Sequence, residues 1–422
     1  MDVILSAQDL ADSYLPPFQA CVEEGKVSGL MCAYNSVNGE PCCANEWLLG
    51  SLLRESWGFD GYVTSDCDAE WDPAMNRRYP NNDDAVAAIL RAGTDVNCGA
   101  FMQTFAPHAL ANGSITEADL DVVLRRQFRV RLRLGHFDPP GALGGIGLDQ
   151  ICSPYSLELA RDAARQSAVL AKNDGGALPL AAGSFASAVV IGPLINLRDT
   201  VRYYGSYPCN GSFVTPLLAL QEHLPAATGV AGVANVTTLD TSGVAAAAAA
   251  AAAADLVLLA IGSDGSLETE GMDRSVIDFS PAQVALVANV TAAAKGPVVA
   301  LVFSGGAMDV SILLANPKIV AVVICGQPSV AVEGTLDAVF GRTPDGRAVA
   351  VAGRMSQTTY PASFIHEVDM YDFGMRPGPS AWPPGTNPGR TYRFYTGAPV
   401  LPFAFGLSEC FLLPTPPVRV CH

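Results

Sequence analysis

The sequence predicts an α/β protein of two domains, each built around a parallel sheet. Three observations carry this. At 422 residues the chain exceeds what one ordinary core organises. Residues 1–137 alternate short apolar runs with amphipathic stretches, the pattern of strand–helix units. From residue 154 a second alternation begins, and its apolar runs are continuous, as in strands covered on both faces.

In the first domain, 1–137, strands are predicted at 29–34 (GLMCAY), 61–65 (GYVTS) and 94–98 (TDVNC). Helices are predicted at 46–56, 83–92 and 116–134. In the last, Leu120, Val123, Leu124, Phe128 and Leu132 recur at helical spacing. Thr116 stands as its N-cap, with Asp119 in the capping-box place. Three strand–helix units do not close a barrel, which needs eight. This region is therefore either an open sheet or the later part of a barrel.

Residues 138–153 are rich in Gly and Pro and read as a linker. Their Gly-Gly-x-Gly is not a dinucleotide fingerprint, because no strand precedes it. In the second domain, 154–422, strands are predicted at 188–191, 256–261, 298–303 and 319–324. Helices are predicted at 154–172, 244–254 and 281–294, which makes a three-layer α/β sandwich. Residues 374–390 are rich in Pro and Gly and read as a long irregular loop.

Composition narrows the partners. Half the residues are hydrophobic and 16% are charged, so the chain folds. A net charge of −16 repels phosphate backbones and anionic lipid heads. Nucleic acid and membrane surfaces are thus not expected partners, whereas a neutral sugar is compatible. The longest apolar stretch, 244–262, is broken by Asp255 and includes ten consecutive alanines, 245–254. That predicts a surface helix feeding a buried strand and not a membrane span. The 11 Cys are scattered without a CxxC pair, and sequons occur at Asn112, Asn210, Asn235 and Asn289. Together they point to a secreted protein with some disulfides. The opening MDVILSAQDLAD has no signal-peptide pattern.

Two acidic segments could do chemistry. Thr64-Ser65-Asp66-Cys67-Asp68 falls where a strand meets its following loop, the end that carries catalytic groups in parallel α/β folds. A calcium loop is the first alternative, since Asp66, Asp68, Glu70 and Asp72 alternate. Its sixth and twelfth positions should be Gly and Glu, and here they are Trp71 and Arg77. The second alternative is an Asp that caps the next turn. The other segment, 268–274 (ETEGMDR), follows the strand at 256–261; alone it reads as a solvated loop with an Asp273–Arg274 contact. Taken together, the two segments supply the pair of carboxyl groups that glycoside cleavage needs. His108, His136, His223, His366 and His422 form no HExxH, and neither a GxSxG elbow nor a phosphate-binding GxxxxGK[ST] loop occurs. No metal or cofactor is implied.

Several long segments, in order, resemble glycoside hydrolase family 3, in its β-xylosidase and arabinofuranosidase branch. They include VSGLMCAYNSVNGEPCCANEWLL, WGFDGYVTSDCDA, AILRAGTDVNCG, ARQSAVLAKNDGGALPL, ETEGMDR and GRTYRFYTGAPVLPFAFGLS. The resemblance runs to about Ser408. It implies the C-terminal part of a TIM-like (β/α)8 barrel followed by an α/β sandwich. It implies Asp66 as nucleophile. The E-G-x-D-R match puts the acid/base on Glu270, with Glu268 in reserve. Tyr34 and Cys67 fall in the sugar subsite, and a Cys directly after the nucleophile favours a pentose. Neighbouring barrel strands would bring Cys67 beside Cys98. The implied activity is hydrolysis, with retention, of terminal xylose from xylo-oligosaccharides. An α-L-arabinofuranosidase or β-glucosidase remains open, as does a non-catalytic sugar-binding or degenerate chain. Family members carry a front half of the barrel and a trailing fibronectin-like domain that this sequence lacks, and 326–361 fits only loosely.

Overall fold

Residues 1–71, 78–79, 81–197, 208–209, 213–408, 411–412 and 419–420 are described by a computed structural model. The chain forms two units, Met1–Gly145 with Val368–Arg390, and Ile146–Glu367 with Thr391–His422. The first break falls inside the 138–153 linker. Residues 368–390 correct the expected 154–422 domain, because they fold with the first unit. Arg376 pairs with Asp9 and Asp12, and Tyr14 Oη donates to Phe373 O at 2.8 Å. These bonds join polar residues far apart in sequence, so no hydrophobic period announces them.

In the first unit, strands Gly29–Cys32 and Tyr62–Ser65 pair in parallel, with Cys32 opposite Ser65. The third predicted strand, 94–98, shrinks to a single parallel bridge between Thr64 and Val96. The cause is Asp95. Its buried carboxylate takes the Val63 N–H at 2.8 Å, which a regular ladder would give to a carbonyl. The same group binds Arg54 Nη2 at 2.6 Å and Arg126 Nη1 at 3.1 Å.

Helices Asn82–Ala92 and Glu117–Arg133 lie where their apolar spacing puts them. Thr116 and Asp119 make the reciprocal capping box at the start of the second. Trp47–Ser56 winds as a π-helix. Leu15–Glu23 and Phe101–Ala111 were not predicted, and both contain proline, which reads as a breaker in sequence.

The second unit holds a six-stranded sheet. Its order is Val169–Asn173, Ile319–Gly326, Val298–Phe303, Leu256–Gly262, Ala188–Ile191, Thr228–Val230. All neighbours are parallel except the first pair. Val257, Leu259 and Ile261 pack with Ala247 and Ala251 of helix Val244–Ala253 and with Leu286 and Val290 of helix Pro281–Ala293. Leu256, Leu258 and Ala260 face the other way, onto Leu220 of helix Pro216–His223 and Leu336, Val339 and Phe340 of helix Val332–Phe340. Both faces are dry, which is why these strands read as unbroken apolar runs.

The helix expected over 154–172 ends at Ser167, and Val169–Asn173 is the antiparallel edge strand. Its residues alternate, Val169 and Ala171 joining one core and Leu170 the other. That two-residue period is a strand's. Beneath the sheet, burial pushes the Asp337 carboxyl up. Hydrogen bonds from Arg161, His223 and Arg165 outweigh this and hold it well below the usual range. They fasten helices Pro154–Ser167 and Pro216–His223 to helix Val332–Phe340. Among the described residues, no helix is long and apolar enough to cross a membrane.

Candidate active site

Asp66 leaves the carboxyl end of strand Tyr62–Ser65, and the backbone around it is tied on both sides. Asp66 N–H donates to Cys32 O at 3.0 Å, and Ser65 N–H donates to Val96 O at 2.8 Å. Ser65 Oγ accepts Cys98 N–H at 2.9 Å, and Asp68 N–H donates to Cys98 O at 2.7 Å. A disulfide joins Cys67 to Cys98, the pair expected, and another joins Cys32 to Cys43. Tyr34 Oη donates to Cys67 O at 2.7 Å, so Tyr34, Cys67 and Asp66 gather at one strand end. Asp68 sits at φ 64°, a left-handed conformation that Asp tolerates. Asp66 Oδ1 accepts Cys67 N–H at 2.7 Å. Its Oδ2 takes no hydrogen bond from any described residue.

Glu70 is a neighbour that the sequence offered only as a calcium ligand. It is 0% exposed, and neither carboxyl oxygen nor Asn97 Nδ2 has a hydrogen-bond partner among the described residues. Burial pushes its carboxyl up, and the nearby polar groups of Ser65 and Asn97 offset this only in part. Asp72 and Arg77 of the calcium register, and the sequon at Asn210, lie outside the described residues.

The second acidic segment belongs to the second unit, in the loop after strand Leu256–Gly262. Here the two glutamates differ. Glu268 Oε1 accepts from Ser263 Oγ and from Gly305 N–H, the latter at 2.7 Å. Glu268 Oε2 accepts from Arg274 Nε at 2.8 Å and Gly306 N–H at 3.3 Å. Four donors fill a carboxylate's acceptor sites. Glu270 is exposed and has no hydrogen bond or ion pair among the described residues. The expected Asp273–Arg274 contact is replaced by the Glu268–Arg274 pair, because the partly buried Glu268 offers the guanidinium a less solvated partner than exposed Asp273 does. Sequence reasoning missed Ser263, Gly305 and Gly306. The only signal was a Gly-Gly pair just after a strand.

The family model for the glycosyl hydrolase family 3 N-terminal domain matches residues 3–130, and that for the C-terminal domain matches 168–407. A Medicago sativa protein named β-xylosidase/α-L-arabinofuranosidase 2 is 37% identical over 96% of this chain and 52% of its own length. Arabidopsis thaliana β-D-xylosidase 3 is 38% identical over the same shares, 96% and 52%. Among solved structures, a family 3 exo-β-xylosidase bound to a xylobiose aziridine probe superposes with a TM-score of 0.87 at 32% identity. That match covers 97% of this chain and 52% of the other. The chain thus spans about half the length of the curated relatives it matches. With both family domains matched in order and relatives above a third identical along nearly the whole chain, the protein belongs to glycoside hydrolase family 3.

Proposed function

We propose that this chain carries both reacting carboxyl groups of a retaining exo-glycosidase that releases terminal β-1,4-linked xylose from xylo-oligosaccharides. Asp66 attacks the anomeric carbon while Glu270 gives its proton to the departing glycosidic oxygen. The glycosyl–Asp66 ester then forms as the old bond breaks. Glu270, now a base, takes a proton from water. That water attacks the same carbon and frees Asp66, so configuration is retained. Tyr34 and the Cys67–Cys98 disulfide border the sugar.

The observation that carries this reading is Asp66 itself: a carboxylate with one oxygen that no described residue bonds, fixed at the end of a parallel strand, where such folds place their chemistry. The first unit is read as the C-terminal part of a TIM-like barrel and the second as an α/β sandwich that contains the acid/base loop. The names of the relatives support xylose, and one pairs it with arabinofuranose. Three disulfides, Cys32–Cys43, Cys67–Cys98 and Cys152–Cys209, and exposed sequons at Asn112, Asn235 and Asn289 support secretion.

The test is hydrolysis of p-nitrophenyl β-xyloside, α-arabinofuranoside and β-glucoside by the protein and by Asp66→Ala. The xyloside should turn over fastest, and Asp66→Ala should cost roughly 10⁴-fold or more. Sugar binding without turnover of any of the three would favour a binding protein instead.

A further inference from the structure

We propose that Glu268 and Arg274 are positioning residues whose ion pair closes the base of the turn presenting Glu270. This deepens the reading above and rests on Glu270 being the acid/base.

The turn is narrow. Thr269 N–H donates to Met272 O at 3.2 Å and Met272 N–H returns to Thr269 O at 2.9 Å. Glu270 and Gly271 form the tip, and Gly271 takes φ 74°, as the third residue of such a turn requires. A two-residue tip held by two backbone bonds is not rigid unless its flanks are fixed. Its flanks are Glu268 on one side and Arg274 on the other, joined at 2.8 Å with side chains only 16% and 9% exposed.

The pair does more than hold itself. Glu268 takes the N–H groups of Gly305 and Gly306, and Arg274 Nη2 donates to Ala307 O at 2.9 Å. One planar guanidinium thus binds a carboxylate and a carbonyl together, which a lysine cannot copy. The glycines make the approach possible. A Cβ on Gly306 would lie 2.5 Å from Arg274 Nη2. The turn at 305–307 also lines a cavity of about 280 Å³. It lacks full packing on that side, so the bonds to Glu268 and Arg274 set its place.

Proton donation needs the acid within about 3 Å of the leaving oxygen. A shift of about 1 Å costs on the order of 100-fold. Loosening the flanks should therefore act through Glu270 and in proportion to how much the leaving group needs its proton.

Hydrogen exchange over 264–274 and kcat on aryl β-xylosides of graded leaving-group basicity test this. The variants are Glu268→Gln, Arg274→Lys, Gly306→Ala and, as control, Glu270→Ala. In the first three, exchange over 264–274 should quicken at least about tenfold while strand Leu256–Gly262 stays protected. The ratio of kcat between good and poor leaving groups should rise on the order of 100-fold. Azide should restore Glu270→Ala and not Glu268→Gln. Unchanged exchange in all three overturns the proposal. So does an unchanged leaving-group ratio in all three while Glu270→Ala raises it. If Glu270→Ala leaves the ratio flat and azide restores Glu268→Gln, the assignment of Glu270 falls, and Glu268 is itself the acid/base.

Discussion

Glu70 is a buried carboxyl group four residues past Asp66, with no hydrogen-bond partner for either oxygen among the described residues. Its folded pKa is raised above the unfolded value, so its contribution is favourable when protonated. That contribution is complete below the unfolded pKa, near 4.5, and is lost as pH rises through the folded value. Glu70→Gln keeps the shape and removes the charge. It should melt with the wild type at pH 4 and above it at pH 8, because only the wild type then carries a buried charge. Equal melting at both values in a pH-resolved thermal scan would refute this. Glu70 was visible in the sequence as one acid in an alternating run, but its burial was not. The same holds for the two glutamates of the second loop. The motif placed both, two residues apart. What separates them is Gly305 and Gly306, 37 and 38 positions from Glu268.

Strands were legible where both faces of the sheet are covered. Ala188–Ile191 and Val298–Phe303 stand at their predicted bounds, each an unbroken run of buried apolar residues. Edges were not legible. Val169–Asn173 continues a helix with only Ala168 between, and its partner strand lies some 150 positions on, so no local breaker marks the change. The 94–98 run failed for the opposite reason, an acidic side chain standing in for a backbone acceptor. Strand Leu256–Gly262 leads into the loop with Glu268, Glu270 and Arg274, and its last residue is strict. Gly262 has φ 138°, and a Cβ there would sit 1.8 Å from Phe303 O. The buried Gln283 amide pairs with both polar groups of Gly262, at 2.9 and 3.0 Å. Gly262→Ala should cost about 3 kcal/mol in a denaturant titration, from backbone strain and overpacking together. A loss under about 0.5 kcal/mol would mean that the strand end yields freely.

At the scale of the molecule, the sequence pattern gave 368–390 to the second domain, whereas they fold with Met1–Gly145. Long-range polar bonds such as Arg376–Asp9 have no periodic trace. The α/β class was readable because alternation is local. The family was readable because its motifs are long and ordered. The central claim, that Asp66 is the nucleophile of a retaining enzyme, is tested most directly by trapping. A fluorinated xylosyl donor forms the glycosyl-enzyme and releases it slowly, so peptide mass spectrometry can find the labelled residue. The account predicts one sugar per chain, on the peptide containing Asp66 and absent in Asp66→Ala. A label on any other carboxylate, or one that survives Asp66→Ala, would contradict it.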